Sequence, residues 1–304
     1  MRAGKAGGLI AAGATLESVL ASCGGNVSVG GAKLTPGATV VPSDGLKNPA
    51  ILQWGADYVS GAPYVFQDPS NPNHLIGFEE DIAQAMADLM SIEQGMIEVC
   101  YGNLEQALLA NQIDMVMNGW EKTADRLKTE LFSQAYYRYG QQVIIRKGDS
   151  RFSGVTITNV SQLGGYKVGT GAGYKAQDIM NTYNSSVSDP SKKITITAYS
   201  GNIAFSDLEQ GKLDAFFLDN PIAAYYILGT GPGATPIPSL QLLGAPINID
   251  DYFVGFNKSS ANAQKLLPEI DECFTILKKN GKLKSIYQHW QMWNPTLEAQ
   301  IGIM

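Results

Sequence analysis

The stretch MNGWEKTADR, residues 117–126, directly follows the apolar run IDMVM. The apolar run reads as the end of a strand and DRLKTELF as the start of a helix, with a turn at Gly119 between them. Backbone N–H groups of Gly119 and Glu121 and the guanidinium of Arg126 would then gather at one strand tip, beside Trp120. Such a tip holds an anion, and a guanidinium matches a carboxylate with two parallel hydrogen bonds. A second loop, VGTGAGYK (168–175), precedes a helix that Tyr174 and Lys175 open. Its glycines permit close backbone approach, and a helix N-terminus with free N–H groups attracts anions. Gly169, Gly171 and Gly173 lack the spacing of a dinucleotide fingerprint and no Walker lysine pattern follows, which argues against a nucleotide. A third segment, FFLDN, ends a very apolar strand in Asp219, a carboxylate suited to an ammonium group. Taken singly, Arg126 reads equally as a surface helix residue, Asp219 as a helix cap and the glycine loop as a turn. Together, an arginine and amides for a carboxylate and an aspartate for an amine describe the two ends of an α-amino acid.

These loops need strands to carry them. From residue 50 the chain alternates strand and helix patterns. AILQWGAD (50–57), GMIEVCY (95–101), IDMVMNG, YKVGTG, KITITAYS and KLDAFFLDN read as strands. LIGFEEDIAQAMADLMSI turns at Gly77 and places Ile82, Ala85, Met86 and Leu89 at helical spacing, with acids in the first turn where the helix dipole favours them. Repeated βα units predict an α/β fold with parallel-rich sheets. Their two groupings predict two lobes: 49–139 plus 254–304, and 140–253. Two extended crossings, near 138–145 and 251–256, would join the lobes as a two-strand hinge. Ligands in such sheets sit at strand C-terminal ends, here in a cleft that the hinge closes.

Composition narrows the function. Net charge is −6, without a basic stripe, which argues against nucleic acid. His74 and His289 are far apart and have no cysteine at metal-ligand spacing, so neither a metal nor a cofactor is expected. Residues 1–23 carry Arg2 and Lys5, a mostly small and apolar run interrupted by Glu17, and then LASC, which ends at Cys23. That order reads as a lipoprotein signal segment with Cys23 as the lipidated residue, and the Gly/Ser/Pro-rich 24–48 as a flexible tether. The protein is then expected outside the cytoplasm, at the membrane only through a lipid anchor, and monomeric. Cys100 and Cys273 are left either as a disulfide or as two separate buried thiols.

Several blocks, in order, resemble the bacterial extracellular solute-binding proteins of family three, the amino-acid capture components of ABC importers. LIGFEEDIAQAMADLM resembles the family's G-F-D-x-D-L-A-x-A-I-A. LLANQIDMVMNGWEKTADR is similar to L-x-x-G-x-I-D-x-x-x-x-G-x-T-x-T-x-x-R. FSQAYYRYGQQVIIRKGD, VSQLGGYKVGTGAGY and LEQGKLDAFFLDNPIAAYY resemble later family blocks. The resemblance runs from about residue 50 to the end and implies a two-lobed periplasmic-binding-protein fold of the second type, with a membrane permease as partner. It implies that Arg126 pairs with the ligand α-carboxylate, that Gly119 offers a backbone contact and that Asp219 takes the α-amino group. It also places Tyr64 beside the ligand side chain and Asp57 at an acidic position that touches polar ligands. The chain departs from the pattern at Trp120, at Glu121, where the family has Thr or Ser, and at Lys175, where it has Thr. Glu121 either pairs with Arg126 or joins Asp57 in favouring a cationic side chain, and a neutral polar ligand paired with Lys175 is equally open, so the ligand is expected to be a basic or polar amino acid. The same fold includes a dehydratase acting on prephenate or arogenate, for which Glu121 would be the general acid. A carboxyl beside an arginine is expected to have a lowered pKa, which suits that role poorly. A ligand-sensing domain of a larger protein is the third reading.

Overall fold

The computed structural model describes residues 27–30, 40–59 and 61–303. Cys23 and the signal segment lie outside the described residues, as do 24–26 and 31–39 of the expected tether. Thirteen strands are present among the described residues: β1 (Val27–Gly30), β2 (Ile51–Ala56), β3 (Phe66–Asp68), β4 (Asn71–Ile76), β5 (Glu93–Glu98), β6 (Met115–Val116), β7 (Glu130–Phe132), β8 (Tyr137–Arg146), β9 (Lys167–Gly171), β10 (Thr195–Tyr199), β11 (Ala215–Asp219), β12 (Leu240–Tyr252) and β13 (Gly255–Asn257).

They form two sheets and a hairpin. The first sheet has the order β1-β5-β2-β6-β13-β7 and the second β10-β9-β11-β8-β12, while β3 and β4 pair by themselves. β2 runs parallel to β5 and β6, and β9 runs parallel to β10 and β11. Connections that return to the same strand end must carry helices, which is the βα alternation legible in the chain. The helix Phe78–Met90 buries Ile82, Ala85 and Met86 against the first sheet, with Glu79, Glu80 and Asp81 in its first turn. The helix Ala261–Lys279 starts on a Ser260 cap and returns Leu266, Ile270 and Phe274 to the same core.

The chain leaves the first sheet after β7, enters the second with β8 and returns between β12 and β13. The two passages run side by side. Ser133 N–H donates to Val254 O at 3.0 Å and Tyr136 N–H to Tyr252 O at 3.0 Å, and β12 then pairs antiparallel with β8 from Tyr137↔Tyr252 onward. One aromatic group, Tyr136, Tyr137, Tyr139 and Tyr252, lies along this junction, and Tyr139 stacks on Tyr252 with ring centroids 4.0 Å apart.

Two expectations change, and one alternative left open is excluded. Part of the segment read as a flexible tether is ordered: β1 adds antiparallel to β5 at the edge of the first sheet. An open edge offers unpaired N–H and C=O groups, and a chain rich in Gly and Ser can still meet them. Further along, Val41 and Leu46 are buried, and the N–H groups of Asp44 and Gly45 donate to Glu269. DRLKTELF gives only one helical turn, Arg126–Thr129, before β7 begins, because Leu131 pairs in the sheet with Phe256. Cys273 is free and buried, so it is not bridged to Cys100. No helix among the described residues is long and apolar enough to cross a membrane.

Candidate functional site

Residues that follow the C-terminal ends of β2, β6 and β9, together with Asp219 at the end of β11, line one cavity, so the chemistry-bearing loops meet there. After β6, Gly119 turns the chain with φ +59°, a left-handed conformation that glycine adopts without strain. A Cβ there would also meet the Tyr64 ring at 3.0 Å. Trp120 then points inward, fully buried, and its Nε1–H donates to Glu130 Oε2 at 2.8 Å. Gly255 leaves room for this pair, since a Cβ there would sit 2.7 Å from Trp120 Nε1 and 2.6 Å from Glu130 Oε2. Thr123 Oγ1 accepts from Arg126 N–H at 3.2 Å and anchors the last turn.

Arg126 is committed inside the protein. Its Nη1 donates to Glu121 O at 3.1 Å and to Glu121 Oε2 at 3.2 Å, and its guanidinium carbon lies 3.2 Å from the centre of the Trp120 ring. Glu121 is buried and accepts two further hydrogen bonds, from Tyr101 Oη (3.1 Å, to Oε2) and Tyr139 Oη (3.2 Å, to Oε1). Burial raises the Glu121 pKa more than Arg126 lowers it. The expectation of a lowered value is thereby corrected: desolvation of the carboxylate outweighs one neighbouring cation.

Asp219, at the end of β11, is buried in its own donor set. Gln141 Nε2 donates to Oδ1 at 2.7 Å, Tyr252 Oη to Oδ2 at 2.5 Å and Tyr64 Oη to Oδ2 at 3.4 Å. The register of β11 on β8, with Asp219 opposite Gln141, makes the first of these bonds. Burial, reinforced by the Glu121 charge, pushes the Asp219 pKa up to about 7.

Between these groups lies an inner cavity of about 10 Å³, lined from the first sheet's side by Tyr64, Tyr101, Gly119 and Glu121, and from the second's by Tyr174 and Asp219. An outer chamber of about 240 Å³ adjoins it, with Arg126, Trp120, Gly173 and Lys175 on its walls. Tyr101 and Glu121 belong to both and form the partition. The Tyr101 and Tyr174 rings meet edge to face, centroids 5.0 Å apart, and link the two sides.

The structure thus brings together Tyr64, Gly119, Glu121, Tyr174 and Asp219, with Trp120, Arg126, Gly173 and Lys175 one wall away. Two expected contacts point elsewhere. The Gly119 N–H, read as a ligand donor, donates to Glu79 Oε1 at 2.8 Å. Asp57 accepts from Val59 N–H in its own loop at 3.0 Å and from Tyr101 N–H on the neighbouring loop at 3.1 Å, and does not line the inner cavity. Lys175 pairs with Asp250 at 3.5 Å, and the Gly173 N–H donates to Gln177 Oε1 at 2.8 Å. Sequence reasoning missed Tyr101, Tyr139, Gln141 and Tyr252. Tyr101 ends the segment read as a strand from the sequence and opens the turn after β5, which is a legible signal, whereas Tyr139, Gln141 and Tyr252 enter through the pairing of β8, β11 and β12.

Two α/β sheets joined by paired crossings, with a polar cleft at their strand ends, define a two-lobed binding-protein fold. The chain matches the bacterial extracellular solute-binding proteins, family 3, over residues 55–292 and belongs to that family. It is 25% identical over 229 residues to the putative ABC transporter arginine-binding protein 2 of Escherichia coli (strain K12), covering 74% of this chain and 85% of that one. It is 24% identical to the L-cystine-binding protein TcyJ of the same strain, over 75% of this chain and 78% of that one. An ancestral arginine-binding protein bound to arginine shares the fold, with a TM-score of 0.67 at 24% identity, covering 79% of this chain and 98% of that one. An ancestral amino acid-binding protein described as a precursor of cyclohexadienyl dehydratase shares it with a TM-score of 0.66 at 22% identity, over 79% of this chain and 95% of that one.

Proposed function

We propose that this solute-binding protein captures a basic or polar amino acid in the cleft between its sheets and presents it to the membrane permease of an ABC importer. The observation that carries the reading is Asp219, a buried carboxylate at a strand end facing the cavity, with Glu121 across from it and Arg126 behind Glu121. In this reading lobe 1 is 49–139 plus 254–304 and lobe 2 is 140–253, and the hinge, expected near 138–145 and 251–256, shifts on its first strand to the passage at 133–136 that pairs with 252–254. Asp219 takes the ligand's ammonium group, and Tyr64 and Tyr174 close over it. Arginine, named for some relatives, supports a basic ligand, and L-cystine, named for another, a polar one. The protein works outside the cytoplasm as a monomer, held to the membrane through Cys23.

The cleft closes on its ligand and sheds water, so affinity comes from pre-formed charges rather than from chemistry. A dehydratase reading has one observation in its favour: burial raises the Glu121 pKa, as a general acid requires. Both readings are tested on the full chain, unfolded and refolded to strip carried-over ligand, by thermal shift and calorimetry with the twenty amino acids, ornithine, citrulline and prephenate. A ligand at a hundredfold over its Kd adds about 2.7 kcal/mol of stability. Binding of an amino acid without turnover supports capture. Consumption of prephenate, lost in Glu121→Gln, would make the protein an enzyme.

A further inference from the structure

We infer that Glu121 is a tethered substitute for a ligand carboxylate, so that the cleft prefers a cation without a free α-carboxylate, a primary amine, over the parent amino acid. The inference rests on the reading of this cleft as the solute site and goes beyond it by naming the ligand class.

The geometry separates the two groups that would grip an amino acid. Asp219 faces the inner cavity, whereas Arg126 lies on the outer chamber behind the partition of Tyr101 and Glu121. Arg126 already holds a carboxylate, that of Glu121, and is fixed by its stack on Trp120. An α-carboxylate that enters the inner cavity therefore meets Glu121 in place of Arg126, and to take Arg126 Nη1 it must displace Glu121 from its bonds to Arg126, Tyr101 and Tyr139.

A cation meets the opposite situation. The donors that line the inner cavity at Tyr64, Tyr101 and the Gly119 amide are given to carboxylates of the protein. Glu121 and Asp219 face it from opposite sides and tyrosine rings complete the wall; burial raises both carboxyl pKa values, and an ammonium group between them favours their ionised forms. The cavity, about 10 Å³, is the size of one water, the scale of a primary ammonium head. The outer chamber, about 240 Å³, leaves room for an alkyl tail, and Glu105, Asp125 and Asp178 on its walls offset Arg126 and Lys175 for a second cation.

The test compares each decarboxylated base with its parent on the refolded full chain by calorimetry: agmatine against arginine, and cadaverine against lysine. The expected result is that each amine binds at least tenfold more tightly than its parent. Glu121→Thr, which frees Arg126, should narrow or invert that ratio, and Glu121→Gln should narrow it. If either variant fails to fold, the wild-type ratio decides alone. Parent amino acids that bind wild type as tightly as their amines overturn the inference while leaving solute capture standing. Failure of amines and amino acids alike overturns both.

Discussion

Glu79 offers a quantitative test of how the binding turn is held. It is fully buried under the Gly119 turn, where Oε1 accepts from the Gly119 N–H at 2.8 Å and from Tyr136 Oη at 2.5 Å. Oε2 has no partner. Burial pushes its pKa from 4.5 to about 8, so the folded protein holds this carboxyl neutral at pH 7. A raised folded pKa contributes stability that is fully present below the unfolded value and is lost as pH rises toward the folded value. At about 1.4 kcal/mol per pH unit, the rise from pH 5 to pH 8 removes about 3 kcal/mol through Glu79 alone. Glu79→Gln keeps the shape and removes the titration, at a pH-independent cost of about 1–3 kcal/mol for an amide N–H group placed where Oε2 lacked a partner. Glu80, Glu98 and Glu130, also pushed up to about 7 by burial, titrate in both proteins and cancel in the difference. Urea unfolding of both proteins at pH 5 and pH 8 should show the wild type losing about 3 kcal/mol more than the variant. Equal losses would mean that Glu79 is ionised beneath the turn, and the account of that turn would fail.

Other substitutions follow from the same packing. Gly119→Ala should cost about 1–2 kcal/mol for its left-handed backbone and weaken ligand binding by pushing the Tyr64 ring, read by thermal melting and calorimetry. Trp120→Phe removes the donor to buried Glu130 and should cost about 1–3 kcal/mol in urea unfolding; an unchanged midpoint would show that the bond contributes nothing. The Cys273 thiol, buried and pushed up to about 12, should resist a thiol reagent in the native protein and react on unfolding.

Much of the architecture was legible because apolar periodicity and helix-start signals are local. The βα alternation, the two crossings and the strand-end placement of Arg126 and Asp219 all follow from residues close in sequence. What was not legible depends on pairing at a distance. Tyr252 reaches Asp219 from 33 residues away and Gln141 from 78, through the register of three strands. The commitment of the Gly119 amide to Glu79 needs a helix start 40 residues earlier. The direction of the Glu121 pKa shift depended on burial, which a neighbouring arginine in the sequence does not reveal. Asp57 looked available for the same reason, since its acceptance of the Tyr101 N–H spans 44 residues.

The central claim is that Asp219 anchors the ligand's ammonium group in this cleft. Its most direct test is the calorimetric affinity of wild type and Asp219→Asn for the tightest ligand found, with unfolding curves confirming that the variant is folded. Loss of a buried, hydrogen-bonded charge opposite a ligand cation costs about 2–5 kcal/mol, so the account predicts an affinity at least about thirtyfold weaker. An unchanged affinity in a folded Asp219→Asn protein would place the ligand elsewhere and contradict it.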